Sequence, residues 1–231
     1  MKTLGIVGGI GPESTIEYYR LIVAGWRARN TDGSFPPVLI NSIDMTRMLA
    51  LIGGNQMAEV TKYLAGEVNK LARAGAEVAL MAANTPHIVF DEVRERAHIP
   101  MISIVEAACD VARQKGLTRL ALFGTRFTMQ GDFYPVVFSK YGILLVTPSE
   151  SDQDYIHDKY MHELVHGQFR DETRRHLLGI LDRLIDQYQV QGLILGGTEL
   201  PLILPGETYR DIPLLDTTRI HVERALRSMF S

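Results

Sequence analysis

Three side chains that could bind a small acid and move a proton follow one short apolar run of this chain. Asn84, Thr85 and His87 come just after Val78–Met81, at the expected end of a buried strand. Asn and Thr offer hydrogen-bond donors to a carboxylate, and an imidazole titrates near neutral pH and can act as general acid or base. The pattern predicts an acid-binding loop with His87 as a proton-transfer group. The alternative is a loop histidine bonded to the main chain.

A second polar pair follows the apolar run Leu193–Leu195. Thr198 and Glu199 come after two glycines and before Pro201, which is typical of a loop. Glu199 could bind the ammonium group of a ligand, or transfer a proton if burial raised its pKa. A surface carboxylate after a buried strand is the alternative interpretation.

Two further turns carry glycines or hydroxyls after predicted strands. The turn at residues 8–12 lacks the third glycine of a dinucleotide fingerprint and the Lys-Ser/Thr of a phosphate loop. The start of the helix behind it could hold a small carboxylate near Gly9. The turn at residues 124–128 offers Thr125 and Thr128 to a second carboxylate, or as N-caps of a helix.

A rival metal-binding pattern lies at residues 162–166, which read His-Glu-Leu-Val-His. Two histidines four residues apart on a helix can share a zinc ion, with Glu163 as general base. Glu172 or His176 could supply a third ligand. Gly167 follows at once and favours the end of a helix, and the segment lies away from the predicted strand ends. We expect no metal here and keep a zinc peptidase as an alternative.

Short apolar runs alternate with longer amphipathic segments along the chain, which predicts an α/β fold with parallel sheets. The predicted strands are Thr3–Val7, Val38–Ser42, Val78–Ala82, Met101–Ile104, Leu120–Phe123, Ile143–Thr147, Gly192–Leu195 and a short one near Leu214–Leu215. The predicted helices cover residues 14–28, 55–74, 90–97, 105–115, 130–141, 152–166, 171–188 and 217–229.

The strand–helix series runs twice, because both halves open with a strand and a turn and later end a strand in small and polar residues. This repeat predicts two similar, pseudo-symmetric α/β lobes, residues 1–104 and 105–211, with residues 212–231 returning to the first lobe. Ligands of open parallel sheets bind at the carboxyl ends of the strands. We therefore expect the four turns to form a ligand cleft between the lobes.

The combined motifs resemble the aspartate/glutamate racemase family, and more specifically its aspartate racemase branch. The family stretches read roughly Cys-Asn-Thr-x-His and Gly-Cys-Thr-Glu, and this chain reads Ala-Asn-Thr-Pro-His at 83–87 and Gly-Gly-Thr-Glu at 196–199. The resemblance implies an amino-acid racemase, an isomerase without a cofactor, in which two facing thiols remove and return a Cα proton. Ala83 and Gly197 stand at the two thiol positions.

The resemblance also implies a set of substrate contacts. Arg47, which follows the strand Val38–Ser42, matches the basic residue that meets the side-chain carboxylate of the substrate, and a solvated loop arginine is the alternative. The implied substrate-binding residues are Gly9, Arg47, Asn84, Thr85, Thr125, Thr128 and Thr198, with Glu199 beside them.

The missing thiols decide what chemistry is expected. Neither alanine nor glycine can carry a proton, so we expect two-thiol racemisation to be very weak or absent. The single cysteine, Cys109, lies on an apolar stripe at helical spacing and is expected to be buried. Three explanations stay open: a thiol-independent isomerase, lyase or hydrolase that uses His87 or Glu199, a non-catalytic carboxylate-binding protein, or removal of both thiols by engineering.

Composition excludes several other classes of protein. The chain has 231 residues, 46% of them hydrophobic and 22% charged, with a net charge of -3. Nucleic acid is not an expected partner, because its phosphates require clustered Lys and Arg. One cysteine allows no internal disulfide, and no stretch resembles a signal peptide or a membrane helix. We expect a cytoplasmic protein with a small acid as its partner, and the assembly state stays open, a homodimer included.

Overall fold

The computed structural model describes all 231 residues. They form two compact units, the first made of Met1–Ile104 with His221–Ser231 and the second of Val105–Ile220. Each unit is built around a sheet whose central strands are parallel. The predicted α/β fold with two similar parallel sheets is confirmed.

The first unit contains a four-stranded sheet in the order β2–β1–β3–β4, with every pair parallel. Its strands are β1 (Leu4–Gly8), β2 (Val38–Ser42), β3 (Val78–Met81) and β4 (Met101–Ile102). Its helices are α1 (Pro12–Arg29), α2 (Met45–Gly53), α3 (Met57–Arg73) and α4 (Phe90–Arg96), with a 3₁₀ turn at Thr85–Val89.

The second unit contains a five-stranded sheet in the order β6–β5–β7–β9–β8, in which only β8 is antiparallel to its neighbour. Its strands are β5 (Arg119–Gly124), β6 (Leu144–Val146), β7 (Leu193–Gly196), β8 (Thr208–Tyr209) and β9 (Ile212–Asp216). The helices in and next to it are α5 (Ile104–Gln114), α6 (Arg126–Gln130), α7 (Phe133–Ser139), α8 (Glu150–His162), α9 (Asp171–Tyr188), α10 (Leu200–Ile203) and α11 (Thr217–Phe230).

The residue types of each strand depend on the position of that strand in its sheet. The central strands β1, β3 and β7 are buried along their whole length. Strands covered on both faces are nearly continuous apolar runs, and the sequences of these three strands have that character. The edge strands β2 and β6 are more polar or more exposed, with Ile40 and Leu144 open to solvent.

Both sheets place a change of chain direction at the same point. In the first unit the chain leaves β1 for the edge strand β2 and then returns to β3 on the other side of β1. In the second unit it leaves β5 for β6 and returns to β7. The carboxyl ends of the two central strands at such a switch point are where ligands of open α/β sheets bind. In each unit the predicted site residues follow these central strands, except Arg47, which follows the edge strand β2.

The helix α2 was not predicted, and it changes the setting of Arg47. Asp44 caps its first turn by accepting a hydrogen bond from the Thr46 main-chain N–H at 2.8 Å. Met48 and Ile52, four residues apart, are its buried residues. The segment is short and starts immediately after a strand, so its helical period covers only two turns. Arg47 therefore lies on a helix rather than on a loop.

Two predicted helices have different bounds in the structure. The helix predicted over 130–141 is the shorter α7, and Gly131 separates it from α6, which ends at Gln130 and was not predicted. The segment predicted over 152–166 stops as a helix at His162 and continues as a 3₁₀ turn at Leu164–His166. None of the helices has the length and apolar character that crossing a membrane requires.

The return of the C-terminal segment to the first unit begins later than predicted. Residues 212–216 form β9, which pairs in parallel with β7 of the second sheet. The return begins at His221, within α11. From there Val222, Leu226 and Met229 pack with Tyr18 and other apolar residues of the first unit. The prediction placed the whole of 212–231 in the first lobe because sequence alone did not show that β9 extends the second sheet.

Candidate functional site

Gly9 shapes the turn that follows β1. Its backbone has a φ of 77°, which L side chains rarely adopt, and its N–H donates to Thr15 Oγ1 at 2.9 Å. A Cβ at this position would contact the carbonyl oxygen of Ile43 and lie 2.6 Å from Ser42 Oγ. Glycine is therefore required, because only a residue without a side chain lets this turn pass so close to the end of β2.

Three predicted site residues are buried together at the carboxyl end of β3. Ala83, Asn84 and Thr85 are 6%, 3% and 7% exposed. Asn84 precedes the 3₁₀ turn, and its carbonyl accepts a hydrogen bond from the His87 main-chain N–H at 3.0 Å. The sequence Asn-Thr-Pro thus forms a tight buried turn after the strand, close to the end of β1.

His87 is held by the main chain through both ring nitrogens. Nε2 accepts a hydrogen bond from the Ile104 N–H at 3.2 Å, so the ring proton lies on Nδ1, which donates to the Ala83 carbonyl at 3.0 Å. Burial of the ring, and to a smaller extent the charge of the nearby His221, lowers the pKa of His87 to about 3. The expected near-neutral titration is therefore wrong. The contacts are those of the alternative interpretation, a histidine bonded to the main chain.

His221, which sequence reasoning did not single out, forms a second buried link beside His87. Its Nδ1 accepts from the Tyr18 hydroxyl at 2.8 Å and its Nε2 donates to the Ile102 carbonyl at 3.0 Å. Burial lowers its pKa to about 4. The His87 and His221 rings pack edge to face, with their centres 6.0 Å apart. The two neutral imidazoles tie α1, β4 and the C-terminal helix of the first unit together.

Acid is expected to destabilise the protein through these two histidines. Each binds a proton in the unfolded chain below a pKa of about 6.5 but resists it in the folded chain. The unfolded state then binds more protons, so the free energy of unfolding falls as pH drops from about 6.5 towards 4. The loss at pH 5 should be about 2 kcal/mol for each histidine. Urea unfolding at pH 7 and pH 5 measures it.

A matched pair of variants isolates this effect. His87→Asn removes one buried titrating ring and should make the loss between pH 7 and pH 5 smaller. His98→Asn removes an exposed histidine and should leave the loss unchanged. A parent protein equally stable at both pH values would contradict the neutral, buried state of the two rings.

Arg47 extends over an aromatic ring on the surface of the first unit. Its guanidinium carbon lies 4.4 Å from the centre of the Tyr63 ring, a cation–π contact. The residue is exposed and borders a groove of about 310 Å³ between α2 and α3. The same groove is lined by Leu51, Glu59, Lys62, Tyr63, Gly66, Glu67 and Lys70. The charged side chains that line the groove include both acidic and basic ones.

Thr125 and Thr128 face each other at the carboxyl end of β5. Thr125 is the N-cap of α6, where its Oγ1 accepts from the Thr128 N–H at 3.3 Å. The two hydroxyl oxygens lie 3.2 Å apart. The capping interpretation of Thr125 is therefore confirmed, and a role for these hydroxyls in ligand binding stays a prediction.

Glu199 is a buried carboxylate, not a surface one. It lies at the carboxyl end of β7 and is 3% exposed. Its Oε2 accepts a hydrogen bond from Thr198 Oγ1 at 2.8 Å and another from the Tyr160 hydroxyl. Tyr160 comes from α8, so the carboxylate is held by hydroxyls from two separate elements.

The Tyr160 ring fills the space that a side chain at position 197 would need. A Cβ added to Gly197 would lie 2.8 Å from the Tyr160 hydroxyl oxygen and 2.9 Å from its Cζ, with Cε2 closer still. Real Cβ atoms essentially never approach other heavy atoms below 3.0 Å. The φ of Gly197 is not positive. Glycine is present here because of the neighbouring tyrosine, and not because of a strained backbone.

Cys109 is buried in α5 and is 1% exposed, which confirms the sequence-based prediction. Burial, and to a smaller extent the charge of Asp110, raises the pKa of its thiol to about 11. A thiol in that state is neutral at physiological pH, and the thiolate is the reactive form.

The His-Glu-Leu-Val-His pattern does not form a helical zinc site. Helix α8 ends at His162, so the two histidines do not share a continuous helical face. Glu163 is a structural residue here. Its carboxylate accepts from Thr173 Oγ1 at 2.6 Å and pairs with Lys159 at 2.8 Å. The ring of His176 stacks on that of Tyr155, with the two ring centres 3.8 Å apart. No three His, Cys, Asp or Glu side chains of the chain are grouped as a metal would require.

Comparison with known proteins gives the family. The model of the Asp/Glu/hydantoin racemase family matches residues 7–225. This chain belongs to that family. A candidate Asp/Glu racemase from Yersinia pestis is 30% identical, with a TM-score of 0.90 and all of both chains covered. An aspartate racemase homologue from Pyrococcus horikoshii OT3 is 29% identical, with a TM-score of 0.84 and all of both chains covered.

A more distant relative shares the racemase fold. The aspartate racemase of Picrophilus torridus is 22% identical, with a TM-score of 0.76 over 100% of this chain and 95% of its own. At this identity the likeness shows the fold. The racemase family of this chain thus agrees with the architecture described above, in which two similar parallel sheets carry polar turns at their switch points.

Sequence reasoning missed Tyr160, which contacts two of the predicted site positions. Tyr160 lies in the last turn of α8, 39 positions before Glu199. The one local signal was the glycine at position 197. A glycine does not say which neighbour uses the space, so Tyr160 could be found only from the tertiary structure.

Proposed function

We propose that this protein binds a small amino acid or dicarboxylic acid at the carboxyl ends of its central strands, and that it does not carry out two-thiol racemisation. One observation carries the proposal. In a chain of the racemase family, Asn84 and Thr85 in one unit, and Thr198 and Glu199 in the other, lie buried at the switch points of parallel sheets. These are positions where ligands of such sheets bind.

The donors at these positions fit an anionic ligand. Amide and hydroxyl groups bind carboxylates, and main-chain N–H groups at the turns after β1 and β5 can do the same. Glu199 supplies a carboxylate, which suits either the ammonium group of an amino acid or the uptake of its Cα proton. We therefore expect Asp, Glu or a related acid as the ligand, bound without a cofactor or a metal.

The lack of thiol chemistry follows from the residues at the family's cysteine positions. Ala83 and Gly197 have no group that can accept a proton, and the only thiol is the buried one of Cys109. Any Cα proton transfer must use another base. A non-catalytic binding protein remains the alternative.

Arg47 is proposed to meet the second carboxylate of the ligand. The variant Arg47→Met should weaken binding of a dicarboxylate far more than binding of a monocarboxylate, because a hydrogen bond to a charged group contributes about 1.5–3 kcal/mol. Isothermal titration calorimetry with both enantiomers of Asp and Glu, with succinate and with a matched monocarboxylic acid measures both affinities.

The control is Arg96→Met, which removes an exposed arginine from the last turn of α4. Its affinities for both ligand types should equal those of the parent. Equal losses for the two ligand types in Arg47→Met would remove Arg47 from the site. If no acid of the series binds the parent protein, the proposed function is wrong.

A further inference from the structure

The contacts of Tyr160 make it more than a core residue of α8. Its hydroxyl donates to Glu199 Oε2, the same oxygen that accepts from Thr198 Oγ1 at 2.8 Å. Its ring lies against Gly197, so the aromatic side chain occupies the space beside the carboxylate. Two hydroxyls on one oxygen fix the direction in which the carboxylate points.

The hydroxyl of Tyr160 remains a donor at every physiological pH. Burial, and to a smaller extent the charge of Glu199, raises the pKa of Tyr160 well above its usual value of 10. The phenol therefore keeps its proton and cannot itself act as the base. Its hydrogen bond instead holds Oε2 of Glu199 in place.

We infer that Tyr160 is a positioning residue, which holds the Glu199 carboxylate as the proton-transferring group of this unit in the space that a family thiol would otherwise need. The inference rests on the proposed function, because it needs an acid with a Cα proton bound at the strand ends. It adds a residue and a base of a different chemical class to that site.

The step transfers one proton in each direction. The Cα–H bond of the bound amino acid breaks, its proton goes to a carboxylate oxygen of Glu199, and its electron pair is delocalised onto the α-carboxylate as an enolate. The Glu199 carboxylic acid exchanges its proton with solvent and returns a proton or deuteron to the same face of Cα. Because the same group takes up and returns the proton, the product is exchange with retention of configuration.

The test compares Cα deuterium exchange in the parent and in Tyr160→Phe. NMR in D₂O follows the α-proton of whichever enantiomer of Asp or Glu binds by calorimetry. The variant keeps the ring against Gly197 and removes only the hydroxyl. We expect exchange to slow by about 10- to 100-fold, as for the loss of one hydrogen bond to a charged group. Affinity should be essentially unchanged.

The pH profile of exchange separates positioning from a merely structural role. A loss of structure would lower the rate by the same factor at every pH, whereas a change at the proton-transferring group should change the shape of the profile. Glu199→Gln should abolish exchange. The matched control is Tyr155→Phe, which removes another hydroxyl from α8 but leaves Glu199 untouched. Its rate and profile should equal those of the parent.

The outcomes distinguish the two proposals. If no acid binds the parent, the proposed function fails and the inference fails with it. If an acid binds but its Cα proton does not exchange, the proposed function stands and the inference is overturned. Exchange that survives in Glu199→Gln, or a folded Tyr160→Phe protein with an unchanged rate and profile, also overturns it.

Discussion

Replacing Gly197 with cysteine is expected to destabilise the protein and to leave it without racemase activity, even when Ala83→Cys supplies the second thiol. The new Cβ would collide with the Tyr160 ring and hydroxyl, which are buried and cannot move aside without disturbing Glu199. Overpacking of this kind costs about 1–3 kcal/mol. Urea unfolding of Gly197→Cys measures the loss, and racemisation of Asp and Glu by the double variant measures the activity.

Shortening the tyrosine should relieve the collision. Tyr160→Leu lacks the Cε2, Cζ and hydroxyl atoms that the new side chain would meet. Gly197→Cys should therefore cost less in the Tyr160→Leu background than in the parent, with a coupling free energy of about 0.5–3 kcal/mol. Only the triple variant with Ala83→Cys is expected to present two thiols, so any racemisation should arise there.

Gly179→Cys provides the control for the cysteine itself. Gly179 lies in α9, where an added Cβ would meet only the far end of the Arg183 side chain, at 4.0 Å. This variant should be close to the parent in stability. A Gly197→Cys protein as stable as Gly179→Cys would show that Tyr160 does not exclude a side chain at 197.

Gly9→Ala is expected to destabilise the first unit strongly. The residue has a φ of 77°, and a non-glycine residue in the left-handed region costs about 1–2 kcal/mol. The new Cβ would also collide with the main chain of Ile43, which has no flexible end that could give way. Together the two effects should cost about 2–5 kcal/mol. Unfolding in urea measures the total.

Gly33→Ala separates the two effects. Gly33 has a φ of 82°, close to that of Gly9, but nothing lies within 4 Å of its added Cβ. This variant should show the backbone cost alone. If Gly9→Ala were no more destabilising than Gly33→Ala, the close approach between the turn after β1 and the end of β2 would not constrain the fold.

The amino-acid sequence by itself determined the class of fold and indicated which strand ends to consider as a candidate site. Val78–Met81 and Leu193–Leu195 are apolar without interruption because their strands are buried on both faces, so they were predicted from composition alone. The polar residues that follow them, Asn84 and Glu199, lie just beyond the strand ends, as their types and the neighbouring prolines predicted.

Only the tertiary structure decided what those residues contact. His87 has the right type and position for a proton-transfer group, yet the main chain of Ala83 and Ile104 engages both of its nitrogens. Glu199 gains its partner from Tyr160, on a helix distant in sequence. The strand β9 joins the second sheet, which keeps residues 212–220 in the second unit. Hydrogen bonds and steric exclusion act between neighbours in space, and a local pattern of residue types does not contain those neighbours.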